Sequence, residues 1–133
     1  WLNKKLGRSE FMPFAPITRT ENSELFSKAL KKSKISSQFM TITTDCNIEM
    51  INNYPASVHV DKTARPQIVS KDTSPDIYEI LREYENLTNL KCLINTSFNM
   101  HEEPIVCSPK DAIKSFLKSK IDYLLIGEFL IKK

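Results

Sequence analysis

Four groups of residues in this chain have types suited to chemistry. They are Arg8, the segment His59-Val-Asp-Lys-Thr-Ala-Arg65, the pair Ser97 and Asn99, and the run His101-Glu102-Glu103. Two arginines on separate segments, with a serine and an asparagine, could surround one phosphate. Each charge-assisted hydrogen bond to it is worth roughly 1.5–3 kcal/mol. Lys4, Lys5 and Arg8 make the first basic cluster. For either lysine alone a solvated helix face is the simpler reading. Arg8 abuts the proline-stiffened run Phe11-Met12-Pro13-Phe14-Ala15-Pro16 and can be fixed in the geometry that bidentate anion binding needs. Ser97 lacks the G-x-S-x-G elbow of an activated nucleophile. The His101-Glu102-Glu103 run lacks the spacing of a metal site and reads as a loop of solvated charges. His59 reads as a hydrogen-bonded structural residue, and Cys107 as a buried, inert thiol.

These residues need elements to hold them. The stretch Asn95 to Pro109 starts where the apolar run Leu90 to Ile94 breaks into Asn-Thr-Ser, and it ends at Ser108-Pro109. A strand stopping there presents hydroxyl and amide groups at its carboxyl end, where α/β sheets place ligands. Residues 2–8 read as the last turns of a helix that Gly7 ends. Pro13 and Pro16 exclude a helix, so an extended segment is expected through Ile17 and Thr18. Thr20 or Asn22 caps a helix to about Lys32, with Leu25, Phe26, Ala29 and Leu30 buried. Lys28, Lys31, Lys32 and Lys34 sit at its carboxyl end, as the macrodipole favours.

Strands are expected over 37–44, over Val58 to Asp61, and over Arg65 to Ser70 after a turn at 62–64. Residues 45–57 read as irregular or as a short helix around Ile48 to Ile51. Ser74-Pro75 opens a helix to about Asn86, carrying Ile77, Ile80, Leu81 and Tyr84 at helical spacing. Asn89 to Ile94 is a strand, and Pro104 to Cys107 a shorter one. Ser108-Pro109-Lys110-Asp111 is a capping box variant for a helix to about Lys118 that buries Ala112, Ile113, Phe116 and Leu117. Strands over 121–126 and 128–131 flank Gly127. The expected class is α/β (α+β): a single domain over residues 1–133, a twisted mixed sheet and about three main helices.

Composition narrows the partners. The chain has 133 residues, 41% hydrophobic and 26% charged, which suits a folded globular domain. A net charge of +3 is too small to argue for nucleic acid. With only Gly7 and Gly127, no glycine-rich phosphate loop exists. Any phosphate must be held by Arg, Lys, hydroxyls and backbone amides. Cys46, Cys92 and Cys107 form no CxxC pair, so neither a zinc cage nor a disulfide framework is expected and the setting reads as cytoplasmic. No apolar run reaches the ~18 residues of a membrane span. The opening Trp1-Leu2-Asn3 reads as a piece of a longer protein.

Four blocks carry a resemblance. They are RSEFMPFAP (8–16), PASVHVDKTARPQIV (55–69), LINTSFNMHEEPIVCSPKDAI (93–113) and LLIGEFLIKK (124–133). In this order they resemble the carboxyl-terminal domain of the O-carbamoyltransferases of the nodulation-factor and cephem or aminoglycoside antibiotic type. The resemblance implies a YrdC-like α/β domain that takes carbamoyl phosphate and magnesium-bound ATP, releases phosphate, and forms carbamoyl adenylate with loss of pyrophosphate. A separate amino-terminal domain bearing a metal ion would transfer the carbamoyl group to a carbohydrate-type hydroxyl. By the matching motifs, Arg8, Arg65, Ser97 and Asn99 stand at phosphate and nucleotide contacts, with Arg65 and Ser97 the catalytic pair. Lys4 and Lys5 are substitutes for the family's lysine, with Lys5 taken as the binding residue, and no metal is expected in this part. The alternative is a YrdC-like module that binds nucleotide or RNA without catalysis. Lys62 and Glu102 stand where the family has glycine, in D-G-T-A-R and G-E-P.

Overall fold

The computed structural model describes residues 2–7, 14–28, 30, 33 and 35–133. These form two compact units, one of residues 1–12 and 97–133, the other of residues 13–96. Each is described by itself. Arg8, Pro13, Ala29, Lys31, Lys32 and Lys34 lie outside the described residues, and so do the expectations placed on them.

In the unit of residues 13–96 the central strand is β1 (Ala15–Arg19). It pairs in parallel with β4 (Gln67–Val69) and antiparallel with β5 (Cys92–Asn95), so this sheet is mixed, as expected. Pro16 sits in this central strand, yet the β4 register starts only at Ile17. The proline therefore falls at the strand's opening, where a missing N–H costs least. Thr18 is fully buried and donates its hydroxyl to the Lys91 carbonyl. Leu25, Phe26, Met50, Tyr54, Ala64, Ile68 and Cys92 pack into the core of this unit.

Three expected elements differ. Thr20–Leu25 is a 3₁₀ helix, which breaks at Phe26 because Phe26 bridges to Cys46 and the Ser27 N–H donates to the Asp45 carbonyl. Ser36–Phe39 is also a 3₁₀ helix, ended by Met40 at φ 54°. Phe39 there is exposed, with no sheet to bury it, and the strand β2 is only Thr44–Asp45. Residues 58–61 form no strand. They run into a tight loop, and β3 (Thr63–Ala64) begins where a turn was expected, pairing with β2. α2 (Ile48–Asn53) is capped by the Asn47 side chain, which accepts from the Met50 N–H.

Helix α3 (Pro75–Thr88) starts with Pro75 at its first turn and ends at Asn89 in the left-handed region. Ile77 and Ile80 are nearly half exposed, and Leu81 is its buried residue. Polar contacts supply the rest of its attachment. Arg19 donates to the Glu85 carboxylate at 2.8 Å, and Asn22 Nδ2 does so at the same distance. The Arg19 guanidinium also lies 5.3 Å from the Tyr78 ring centre.

The other unit holds α1 (Leu2–Leu6), α4 (Pro109–Lys118) and the hairpin of β6 (Tyr123–Ile126) and β7 (Phe129–Lys132). The capping box of α4 is complete. Ser108 Oγ accepts from the Asp111 N–H at 3.2 Å, and the Ser108 N–H donates to Asp111 at 3.1 Å. Phe116 and Ala112 are buried, whereas Ile113 and Leu117 are exposed, against expectation. Gly127, at φ 56°, is the first residue of the two-residue hairpin turn, a position that primed turns give to glycine. Pro104 to Cys107 form no strand, although the Val106 N–H reaches the Phe98 carbonyl. Among the described residues no helix is long and apolar enough to cross a membrane.

The Arg19–Glu85 pair gives a pH test. Burial opposes ionisation of Glu85, but the hydrogen bonds from Arg19 and Asn22 prevail and hold its carboxyl below the usual range. The pair's stabilisation is therefore full above the ordinary carboxylate pKa and is lost as pH falls through the lower folded value. Glu85→Gln is expected to cost about 2 kcal/mol at pH 7 and much less near pH 3, read from urea unfolding at each pH.

Candidate functional site

The His59–Arg65 segment is a built loop. The Lys62 N–H donates to the His59 carbonyl at 2.9 Å, and the His59 N–H to the Thr63 carbonyl at 2.7 Å. Val60, Asp61 and Lys62 thus form a three-residue hairpin loop, whose last residue must be left-handed. Lys62 is, with φ 66°. Asp61 Oδ1 accepts from the Thr63 N–H at 3.0 Å and from the Thr63 hydroxyl at 2.7 Å. Those bonds hold the Asp61 carboxyl below its usual range.

This arrangement fixes a proton on His59. Its Nδ1 lies 3.0 Å from Thr63 Oγ1. Thr63 has one hydroxyl proton, and the ionised Asp61 carboxylate, an acceptor only, takes it. His59 Nδ1 must then be the donor, which leaves Nε2 of the neutral ring as an acceptor. The sequence showed the D-x-T spacing of a local side-chain turn, but not this relay. His59 is hydrogen bonded, as expected, though in a loop rather than on a strand.

Arg65 follows directly. Ala64 is fully buried and Pro66 nearly so, which turns the alternate residues Thr63 and Arg65 outward. Arg65 is exposed and has no hydrogen bond or ion pair among the described residues. It is a cation on a short leash between two core anchors.

In the other unit, Ser97 and Asn99 are brought together. The Ser97 hydroxyl donates to Asn99 Oδ1 at 2.6 Å. Asn99 Nδ2 donates to the Met100 carbonyl at 3.0 Å and to the Glu103 carbonyl at 2.8 Å. Both amide protons of Asn99 are thereby engaged, and its carboxamide anchors the Ser97 hydroxyl. The Glu103 N–H donates to the Met100 carbonyl, closing a turn with Glu102 at its third position and φ 63°. A type II turn asks for positive φ there. Lys5 is paired with Asp122, its Nζ 2.6 Å from Oδ2. Glu103 is paired with Lys118. Arg8 lies outside the described residues.

Comparison with known proteins decides the family. The family described as carbamoyltransferase C-terminus matches residues 1–133. The chain belongs to this family. An uncharacterized protein of Methanocaldococcus jannaschii is 44% identical over 132 residues, which are 99% of this chain and 25% of that protein. The nodulation protein NolO of Bradyrhizobium diazoefficiens is 37% identical over 126 residues, 95% of this chain and 23% of the relative. Nodulation protein U of Rhizobium tropici is 33% identical over 102 residues, 76% and 17% of the two chains. The chain spans a quarter or less of the length of these relatives.

In this carbamoyltransferase C-terminus, the two positions expected to be glycine are both left-handed. Lys62 and Glu102 each hold a conformation that costs a side-chain-bearing residue roughly 1–2 kcal/mol. Glycine would return part of that in unfolded-state entropy. Lys62→Gly and Glu102→Gly should each raise stability by about 0.5–1 kcal/mol, seen as a higher urea midpoint at unchanged slope.

Cys107 is exposed, not buried as expected, because residues 104–107 form no strand that would cover it. Burial pushes the Cys46 thiol up to about 11 and the Cys92 thiol up to about 12. Thiol titration at pH 8 is expected to show a fast phase that Cys107→Ser removes.

Proposed function

We propose that this chain is the part of a carbamoyltransferase that activates the carbamoyl group. It would take carbamoyl phosphate and magnesium-bound ATP, release phosphate and pyrophosphate, and deliver carbamoyl adenylate. A carbohydrate-type hydroxyl would then receive the carbamoyl group at another part of the protein. Losing both phosphate and pyrophosphate consumes one water per carbamoyl adenylate formed. The free thiols Cys46, Cys92 and Cys107 suit a reducing, cytoplasmic setting.

The observation that carries this reading is the family match joined to the state of Arg65. An outward guanidinium with no partner among the described residues, fixed between buried Ala64 and Pro66, suits an anion contact. Arg65 would neutralise charge gathering on phosphate oxygens as the bond to phosphorus breaks or forms. His59 Nε2, held as an acceptor by Thr63 and Asp61, would take a hydrogen bond from the carbamoyl amide. Ser97 would turn its hydroxyl from Asn99 to a phosphate oxygen, with Asn99 as the positioning residue. Arg8 is assigned to the same phosphate chemistry by its motif. Lys5 would have to leave Asp122 to join it.

The test is isotope exchange between pyrophosphate and ATP in the full-length protein, dependent on carbamoyl phosphate. Arg65→Ala should slow it about 100-fold or more, the scale on which loss of one charge-stabilising donor acts, and Ser97→Ala about 10-fold. Exchange at the parental rate in both variants would overturn the assignment.

A further inference from the structure

β7 forms one edge of its hairpin, and among the described residues no strand other than β6 pairs with it. The ladder tells which of its backbone groups are free. Ile126 faces Phe129 across the two-residue turn, Leu124 faces Ile131, and the Lys133 N–H donates to the Asp122 carbonyl at 3.1 Å. Residues of an antiparallel pair alternate in the side to which they turn their amides. Phe129, Ile131 and Lys133 turn theirs to β6. The N–H and C=O of Leu130 and Lys132 therefore point away from β6, along the free edge.

This edge is undefended. All four residues of β7 are exposed, Phe129 at 73% and Leu130 at 68%, whereas Leu124 of β6 is buried. Proteins blunt such an edge with a proline, a bulge or a charge in mid-strand. β7 has none of these: its ladder runs unbroken over four pairs, and Phe129-Leu130-Ile131 is wholly apolar. A two-stranded hairpin is marginal by itself, and further strands steady it.

The charges at the two ends of β7 select the strand that fits. Glu128 precedes it and Lys132 closes it, and neither has an ion pair among the described residues. Lys133 Nζ is taken up by the Phe116 and Leu117 carbonyls of α4, at 2.7 and 3.0 Å, so Lys132 is the cation of the edge. A second β7 laid antiparallel must match outward amides with outward amides. Centring the pair on Leu130 does so. It sets Leu130 against Leu130, Phe129 against Ile131, and Glu128 against Lys132. Each opposed pair is favourable: aliphatic with aliphatic, aromatic with β-branched, acid with base. The next allowed register in either direction sets Leu130 against Lys132 or Glu128 and breaks both charge pairs. Exposed ion pairs add little energy. They fix the register, while backbone hydrogen bonds and the apolar residues hold the strands.

We propose that β7 pairs antiparallel with β7 of a second copy of this chain, about a twofold axis at Leu130, joining two hairpins into one four-stranded sheet.

Sedimentation velocity on the full-length protein tests this. The parent is expected to dimerise, with the Leu130 and Lys132 amides protected from hydrogen exchange in the dimer. Glu128→Lys and Lys132→Glu each set like charges against one another at both ends of the pair, and each should weaken the dimer about 10-fold or more. In a one-to-one mixture of the two variants, opposite charges meet again at both ends, and a heterodimer of near-parental strength should form. A folding defect in either variant cannot produce that rescue. A parent that stays monomeric at every concentration reached, as when another part of the same chain covers β7, overturns the proposal. So do single variants that dimerise as the parent does, or a mixture that fails to recover.

Discussion

A buried threonine must find a partner for its hydroxyl. Thr18 finds one in the Lys91 carbonyl, at the entrance to β5. That bond sits in the middle of β1, the strand on which the unit of residues 13–96 is assembled. One neighbour of β1 runs with it and the other against it. This mixed pairing separates the polar rims. The carboxyl ends of β1 and β4 share one edge of the sheet. The carboxyl end of β5, at Asn95, lies at the other, opposite Ala15. The direction of β5 gives this sheet two rims rather than one.

The loops on which the candidate residues sit are under local strain. Lys62 and Glu102 occupy left-handed backbone at the two places where the loop geometry requires it. A lysine or glutamate pays for that conformation where glycine does not. The loops persist because neighbouring contacts over-determine them: the Asp61–Thr63–His59 relay around one, and the Asn99 anchor and the Glu103–Lys118 pair around the other. Strain held in this way keeps a loop in one shape, which is what a preorganised contact needs.

Local signals in the sequence survived folding. Ser108 with Asp111, Pro75 at the start of α3, and Gly127 in its hairpin act over three or four residues, and each element formed as they indicate. Signals that depended on a distant partner did not. Phe26 reads as part of a helical stripe, yet it pairs with Cys46 twenty residues on and ends the turn. Residues 37–44 have β-forming side chains, but among the described residues no strand pairs with most of them, and only Thr44, with Asp45 after it, meets β3. Among candidate site residues, the exposed Arg65 and the Ser97–Asn99 pair were legible because residue type alone suggested them. The tautomer of His59 was not, since it follows from which hydroxyl proton goes to which oxygen.

Among the described residues Arg65 has no anionic partner and Asp72 no cationic one, and β4 explains how this can be. Arg65 precedes that strand and Asp72 follows it. The five steps from position 65 to 70, if extended, span about 17 Å. That exceeds the screening length of about 8 Å at physiological salt. Asp72 therefore does little to cancel the field of Arg65, and Arg65 does little to occupy Asp72. A cation and a carboxylate can thus share one small unit without neutralising each other.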